Sequence, residues 1–488
     1  MKQLLFIGAM VIFSQNVLAQ KTIEFVEYDL ANGLHVILHQ EKSTPIVAVS
    51  VLYHVGSKNE KVGRTGFAHF FEHLLFEGSQ NIERGEYDKL VESNGGTLNA
   101  NTSNDRTYYY ELMPSNQLEL GMWLESERML HAKVNIKGIE TQRSVVKEEK
   151  RERIDNQPYA SFIAEIFKRM FVDHPYNWVP IGSMEDLDAA QEEDYVNFYK
   201  TYYIPANATL SIAGDLDIEQ TREWVQKYFG TIPAGHAINM HRDAQNLSDE
   251  AFLAMYSVDR SRVIGADFSN PKDLEVKQVV NNQARMKIDI KRPPNYDRKM
   301  ENVLIDTVYD NIQLPGLFIN YLLPNETHPD FYALEMMNDI LSSGTSSRMN
   351  KILVEKKELA VNAFSFAYGL EAGGVEIFGA IAADGADLDV LLKEFDEIIE
   401  NIKTEPVSPE EFKKIRNKTE NEIVSSNSTI AGVAENLANN YVYYGSTNRV
   451  NTLLDGYIKV TREDIQRVAK QYLKQDARLI LYYLPKEK

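Results

Sequence analysis

The chain has 488 residues, 43% of them hydrophobic and 25% charged, with 26 Gly, 16 Pro and no Cys. Composition of this kind excludes a disordered, collagen-like or disulfide-stapled protein, and the missing cysteines exclude thiol catalysis and thiolate metal sites. The length allows several domains of roughly 150 residues, and a formal charge of −19 argues against nucleic-acid and anionic-membrane partners.

The N-terminus reads as an export signal. Lys2 supplies the positive charge, Leu4 to Phe13 the apolar core, and Val17-Leu18-Ala19 a small-residue cleavage site. Residues 1–19 are therefore expected to be removed, leaving a soluble chain that is periplasmic or secreted. No later stretch approaches the roughly 18 apolar residues that cross a membrane, so no transmembrane segment is expected.

Further along, Asn32-Gly33 signals a hairpin turn between Tyr28-Asp29-Leu30 and Leu34–Leu38. Pro45 to Val55 is β-rich, Thr65 to Glu77 reads as a helix ended by Gly78, and Gly95-Gly96 closes a second helix. The run Thr107 to Tyr110 reads as a strand, and residues 139–153 as a charged helix stopped before Pro158. A repeat follows. Glu193-Asp194 through Tyr202, with the strand near Thr209–Ile212, matches Glu463-Asp464 through Tyr472 with the strand near Leu479–Leu481. The constant offset predicts an α+β fold of two homologous lobes, each an antiparallel-type sheet packed with helices. The expected division is 20–230 for the first lobe, 231–300 for a linker or insertion containing Arg292-Pro293-Pro294-Asn295, and 301–488 for the second lobe.

His69-Phe70-Phe71-Glu72-His73 carries the chemistry. On a helix, His69 and His73 lie four apart and leave the same face, as two neighbouring ligands of a tetrahedral zinc do. Glu72 lies beside them, within reach of a proton on metal-bound water. Phe67, Phe70, Phe71, Leu74 and Leu75 cover most of the remaining surface, and Phe76 is expected to shield the polar arc. A helix so wrapped is buried, and buried polar groups without partners cost several kcal/mol; a metal would be the partner. The other histidines show no ligand spacing.

HxxEH after a β-rich start, in a duplicated exported chain, resembles the M16 (pitrilysin/insulinase) metallopeptidases. The medium-length branch that includes mitochondrial processing peptidase is most similar. Gly95-Gly96-Thr97-Leu98-Asn99-Ala100, Val145-Val146-Lys147-Glu148-Glu149, His174-Pro175-Tyr176 with Gly182-Ser183, Ala213-Gly214-Asp215 and Ser346-Ser347-Arg348 also match. The resemblance implies a metalloenzyme of two such lobes around a chamber, one Zn2+ per chain on His69, His73 and Glu149, and Glu72 as general base. On a helix, Glu149 shares the direction of Val145 and Val146, whereas Glu148 points away. Gln142 departs from the second Glu that many relatives carry. Asn99 and Ala100 resemble the exposed edge strand to which a peptide substrate adds. The corresponding helix of the second copy, near Ala333 to Gly344, has no histidine.

In self-sufficient relatives an Arg and a Tyr seven apart in the second lobe contact the substrate. Those positions fall here on Val354 and Val361. The resemblance therefore implies that this chain is the zinc-bearing subunit, completed by a homologous HxxEH-less subunit that supplies Arg and Tyr; Tyr368 is the alternative donor. The implied activity is hydrolysis of peptides or unfolded segments, and the rival is a non-catalytic exported scaffold that keeps zinc for structure.

Overall fold

The computed structural model describes residues 22–234, 290 and 292–486. The expected signal segment and most of the expected linker 231–300 lie outside these residues. Two sheets organise the rest. The first contains β1 (Val26–Asp29), β2 (His35–Gln40), β3 (Ile46–Tyr53), β4 (Thr97–Thr102), β5 (Thr107–Pro114) and β6 (Ala208–Gly214), in the order β1-β2-β6-β3-β5-β4. The second contains β7 (Leu304–Asp310), β8 (Gly316–Leu323), β9 (Ala360–Leu370), β10 (Gly373–Ala382) and β11 (Leu479–Pro485), in the order β7-β11-β8-β10-β9. With β1 set aside the two orders are the same topology. Each has one parallel pair, β2–β6 and β7–β11, among antiparallel neighbours. The duplication read from one helix–strand pair thus extends to both sheets.

The Asn32-Gly33 turn forms as expected between β1 and β2. Gly33 takes φ 93°, and buried Asn32 donates from Nδ2 to the carbonyls of Phe229 and Ile232, both at 2.8 Å. The helices used below are α1 (Phe67–Leu74), α2 (Leu118–His131), α3 (Ile136–Lys150), α4 (Phe162–Met170), α5 (Glu192–Tyr202), α6 (Phe331–Ser342), α7 (Leu388–Thr404), α8 (Pro409–Ser426), α9 (Ile430–Tyr444) and α10 (Arg462–Tyr472). α5 and α10 are the repeated helices of the sequence.

Strand β3 is buried on both faces, and its alternation explains how. Val47, Val49, Val51 and Tyr53 enter a core shared with Phe67, Phe70 and Phe71 of α1, whereas Ala48 meets Val433, Ala434 and Leu437 of α9, and Leu52 meets Ala438. Helix α9 belongs to the second half of the chain. In exchange, α4 of the first half sets Ile166, Phe167 and Met170 against Phe318, Val375, Ile377 and Leu481 of the second sheet. The second sheet's other face packs on its own helices through Leu317, Ile319 and Tyr321. Each sheet is therefore covered by its own helices on one side and by a helix lent from the other lobe on the opposite side. At about 1.5–3 kcal/mol for each large apolar side chain buried, neither sheet could leave its second face bare.

The exchange adds what the sequence did not suggest, helices of each lobe packed on the sheet of the other. α4 and α9 occupy the interlobe space, leaving a cavity of about 420 Å3 lined by Ser103, Asn104, Glu326, Phe366, Tyr368 and Tyr443. Because α9 supports the first sheet, Leu437→Ala should cost about 2–5 kcal/mol in urea unfolding. It should also speed amide exchange in β2, β3 and β6, over 200 residues away in sequence; unchanged protection there would contradict the exchange.

Candidate metal centre

Helix α1 is short and heavily anchored. Its N-cap Gly66 sits at φ 90°, a conformation cheap only for glycine. Gly182 packs so closely on it that a Cβ there would lie 2.4 Å from the Gly66 nitrogen. Thr65 donates from its backbone and its hydroxyl to Asp186 Oδ2, at 3.0 and 2.6 Å. The carboxylate of buried Glu60 accepts from Gly66 N at 2.9 Å and Ala68 N at 2.8 Å, satisfying two free donors of the helix start. The helix begins two residues later and ends three residues earlier than the sequence suggested. Its end tightens where Phe76 N bonds to the carbonyl of His73 at 3.1 Å. Phe76 consequently leaves the polar arc that it was expected to shield, and packs edge-on against Tyr87.

His69 and His73 project together, ring centroids 4.9 Å apart and nearly perpendicular. From α3, Glu149 meets them: its Oε2 lies 3.5 Å from His69 Nε2 and 3.1 Å from His73 Nε2. Ligand atoms of the three fall within 4.8 Å of one another, the only such cluster of three His, Asp or Glu side chains among the described residues. Glu149 Oε2 is buried without a well-directed hydrogen bond, and so is His69 Nδ1. A carboxylate oxygen converging on two imidazole nitrogens, with no proton donor well placed for it, is a donor set suited to a divalent cation. Two imidazoles and one carboxylate, with side-chain exposures of 12, 25 and 13%, fit zinc and leave a route for water.

The electrostatics agree with the geometry. Burial, then the neighbouring His73, push the His69 imidazole down to about 4. His73 holds Glu149 below the ordinary carboxylate range, against the effect of burial. Glu72 moves the other way: burial raises its pKa, opposed by the Thr102 hydroxyl at the end of β4. Around this set, Arg153 pairs with Glu149 Oε1 at 2.7 Å, and Gln142 donates to Glu77 at 2.5 Å, tying α3 to the chain after α1. The carboxylate absent at position 142 is thus present at Glu77, across a hydrogen bond. Glu148, by contrast, is exposed and pairs with Arg151 at 2.8 Å. Thr102, Arg153, Glu77 and Glu60 carry no motif of their own and were missed in the sequence, although the run from Val145 to Glu149 pointed to their neighbourhood.

Asn99 and Ala100 lie on β4, which forms one edge of the first sheet; its inner side pairs Asn99 with Tyr110 and Ala100 with Tyr109. In the second lobe, α6 offers no histidine, Val354 packs into the apolar core, and Val361 is exposed. Arg348 is engaged with Glu411 through two bonds of 3.0 Å. Tyr368 directs its hydroxyl to Asn104 at 3.5 Å, on the interlobe cavity.

The fold is that of a duplicated two-lobe α/β protein, with a two-histidine, one-carboxylate cluster on its first lobe that could hold a metal. Comparison with known proteins agrees. The family pattern described as "Insulinase (Peptidase family M16)" matches residues 35–177, and "Peptidase M16 inactive domain" matches residues 190–419. The zinc protease PqqE of Helicobacter pylori is 30% identical over 463 residues, covering 93% of this chain and 92% of that protein. The mitochondrial-processing peptidase subunit beta of Saccharomyces cerevisiae is 27% identical over 204 residues, 42% of this chain and 44% of that one. A crystal structure of a protease from Helicobacter pylori superposes with a TM-score of 0.78 at 27% identity, covering 95% of this chain and 100% of the other. The chain belongs to peptidase family M16. Among the described residues no helix is long and apolar enough to cross a membrane.

In metal-free protein the lowered His69 pKa has a defined consequence. Between about pH 6.5 and 4 the unfolded chain binds a proton that the folded chain resists, so stability falls as pH drops through that window. The loss should be on the order of 1–3 kcal/mol between pH 7 and pH 4 by urea unfolding, and His69→Gln should flatten it. An equal slope in His69→Gln would place the effect elsewhere.

Proposed function

We propose that this chain is an exported zinc endopeptidase in which His69, His73 and Glu149 hold one Zn2+ and Glu72 is the general base. The convergence of Glu149 Oε2 on the two Nε2 atoms, beside a carboxylate of raised pKa, carries the reading. Zinc bound there would acidify a water and polarise the scissile carbonyl. Burial gives Glu72 a proton affinity closer to neutrality, which suits a base that takes a proton and returns it to the leaving amine. Asn99 and Ala100 on the free edge of β4 would align an extended peptide by backbone hydrogen bonds. A purely structural zinc leaves the half-buried Glu72 beside it without a role.

Export rests on Lys2, the apolar run and the Ala19 site, and agrees with a cysteine-free chain that relies on its core. Purified from the exported fraction, the protein should begin at Gln20 and carry one zinc per chain. Glu72→Gln should keep the zinc and lose about 10²–10⁴ in kcat/KM, whereas His73→Ala or Glu149→Ala should lose both. Elemental analysis beside a peptide-library digest checks all three; full zinc in Glu149→Ala would transfer the third ligand to Glu148.

The same reading makes this chain one half of an enzyme. Val354 and Val361 offer no side-chain donor, Arg348 is occupied, and the triad and α9 lie on opposite faces of the first sheet. A homologous HxxEH-less subunit would close the chamber over the triad and contribute Arg and Tyr to the developing oxyanion, at about 10²–10³ in rate per donor. Activity of the lone chain should therefore be low and rise by at least that factor on mixing with such a subunit. Full activity of the lone chain, unaffected by any partner, would overturn this half of the reading.

A further inference from the structure

We infer that Glu371, on the turn between β9 and β10 of the second lobe, is a positioning residue for the metal helix α1 of the first; the inference rests on the zinc reading above. Lys58 is the link. Its side chain is 2% exposed, and a buried ammonium persists only where anions surround it. It has two, one from each lobe: Asp105 Oδ1 at 2.9 Å and the carboxylate of Glu371. Glu371 also contacts His54 Nε2 at 2.6 Å, and its backbone N–H donates to Asp105 Oδ2 at 3.1 Å. The next residue, Ala372, donates to Tyr176 OH at 3.0 Å, and Tyr176 in turn donates to Asp105 at 2.6 Å. The turn of the second lobe is thus seated in a polar socket of the first.

What the socket holds is the start of the metal helix. Lys58 lies in the single helical turn Ser57–Asn59, and the residue ending that turn is Glu60, whose carboxylate caps α1 at Gly66 and Ala68. Ser57 and Lys58 are bonded through their N–H groups to the carbonyls of Ser103 and Asn104, just beyond β4. Fixing Lys58 therefore fixes Glu60, and Glu60 fixes the end of α1 from which His69 projects less than one turn later. No residue in this chain of contacts touches the triad. A lobe without such a cluster among its described residues thus holds the one on its neighbour.

The experiment measures zinc affinity of the full chain by competition with a chromogenic chelator, a readout independent of peptidase activity. Glu371→Gln should weaken zinc binding more than twofold, up to the roughly tenfold lost with a partner bonded directly to a metal ligand. Glu435→Gln removes another interlobe ion pair, that with Arg106, without touching the 57–60 turn, and should leave affinity within twofold. Parental affinity in Glu371→Gln, or equal weakening in Glu435→Gln, would overturn the assignment. If Glu371→Gln does not fold, Glu371→Asp, with its shorter reach, should still bind zinc more weakly than the parent, and parental affinity would overturn the assignment equally. An unmodified chain that binds no zinc would overturn the metal reading itself, a result distinguishable from either variant.

Discussion

Mutual cover of the two sheets is the constraint on which everything else in this protein depends. A mixed sheet with Val and Ile on one face and Ala and Leu on the other needs two layers of helices. Here each lobe supplies one layer to itself and one to its neighbour. Without α9, Ala48 and Leu52 of β3 would face water; without α4, Phe318, Val375 and Leu481 would do so. Neither lobe is a closed hydrophobic unit, so the interface between them is a core rather than a docking surface. This gives a physical reason for a second lobe that bears no metal ligands.

A second consequence concerns rigidity below the metal helix. Tyr109 on β5 donates to the carbonyl of Phe71, between the two histidines of α1. Over the Tyr109 ring lies the guanidinium of Arg128, 4.3 Å from its centroid, which also faces Phe76 and Tyr87 at 4.5 Å. Arg128 is fully buried with Glu111 and Glu125. One cation between two carboxylates leaves an excess negative charge unless one is protonated, and burial with the Glu125 charge pushes Glu111 well above the ordinary range. The neutralised cluster contributes little net stability compared with an apolar filling. What it supplies is a fixed ring orientation: a planar cation stacked on three aromatic rings admits few alternative packings, and those rings define the floor of α1.

Much of this was legible in the sequence, and the limit is physical. The 270-residue repeat held because α5 with β6, and α10 with β11, are local units whose caps and periodicity are written in adjacent residues. HxxEH was legible because helical geometry fixes which side chains share a face; the apolar direction assigned to Glu149 was only half right, since Val146 is buried but Val145 is exposed. The exchange of α4 and α9 was not, because an amphipathic stripe says that a helix packs without saying on which sheet. Phe76 was misplaced for a related reason: extrapolating 100° per residue fails once the helix ends at Leu74. Glu60 escaped notice because capping here comes from a carboxylate six residues before the N-cap glycine, outside any local capping pattern.

The two lobes also differ in the polar groups that they bury. In the second lobe, the space beneath β10 that corresponds to the floor of the metal site holds Glu376, fully buried and bonded to Asn338 Nδ2 at 3.1 Å. Burial raises this carboxyl to about 8, so at neutral pH it is mostly protonated and costs little to bury. A neutral carboxyl bonded to an amide calls for no balancing cation beside it. In the first lobe His69, His73 and Glu149, the last also paired with Arg153, converge in a cluster that could hold a metal ion. The candidate metal cluster thus lies in the first lobe, while the second supplies α9 to the first sheet and the Glu371 turn to the socket below α1.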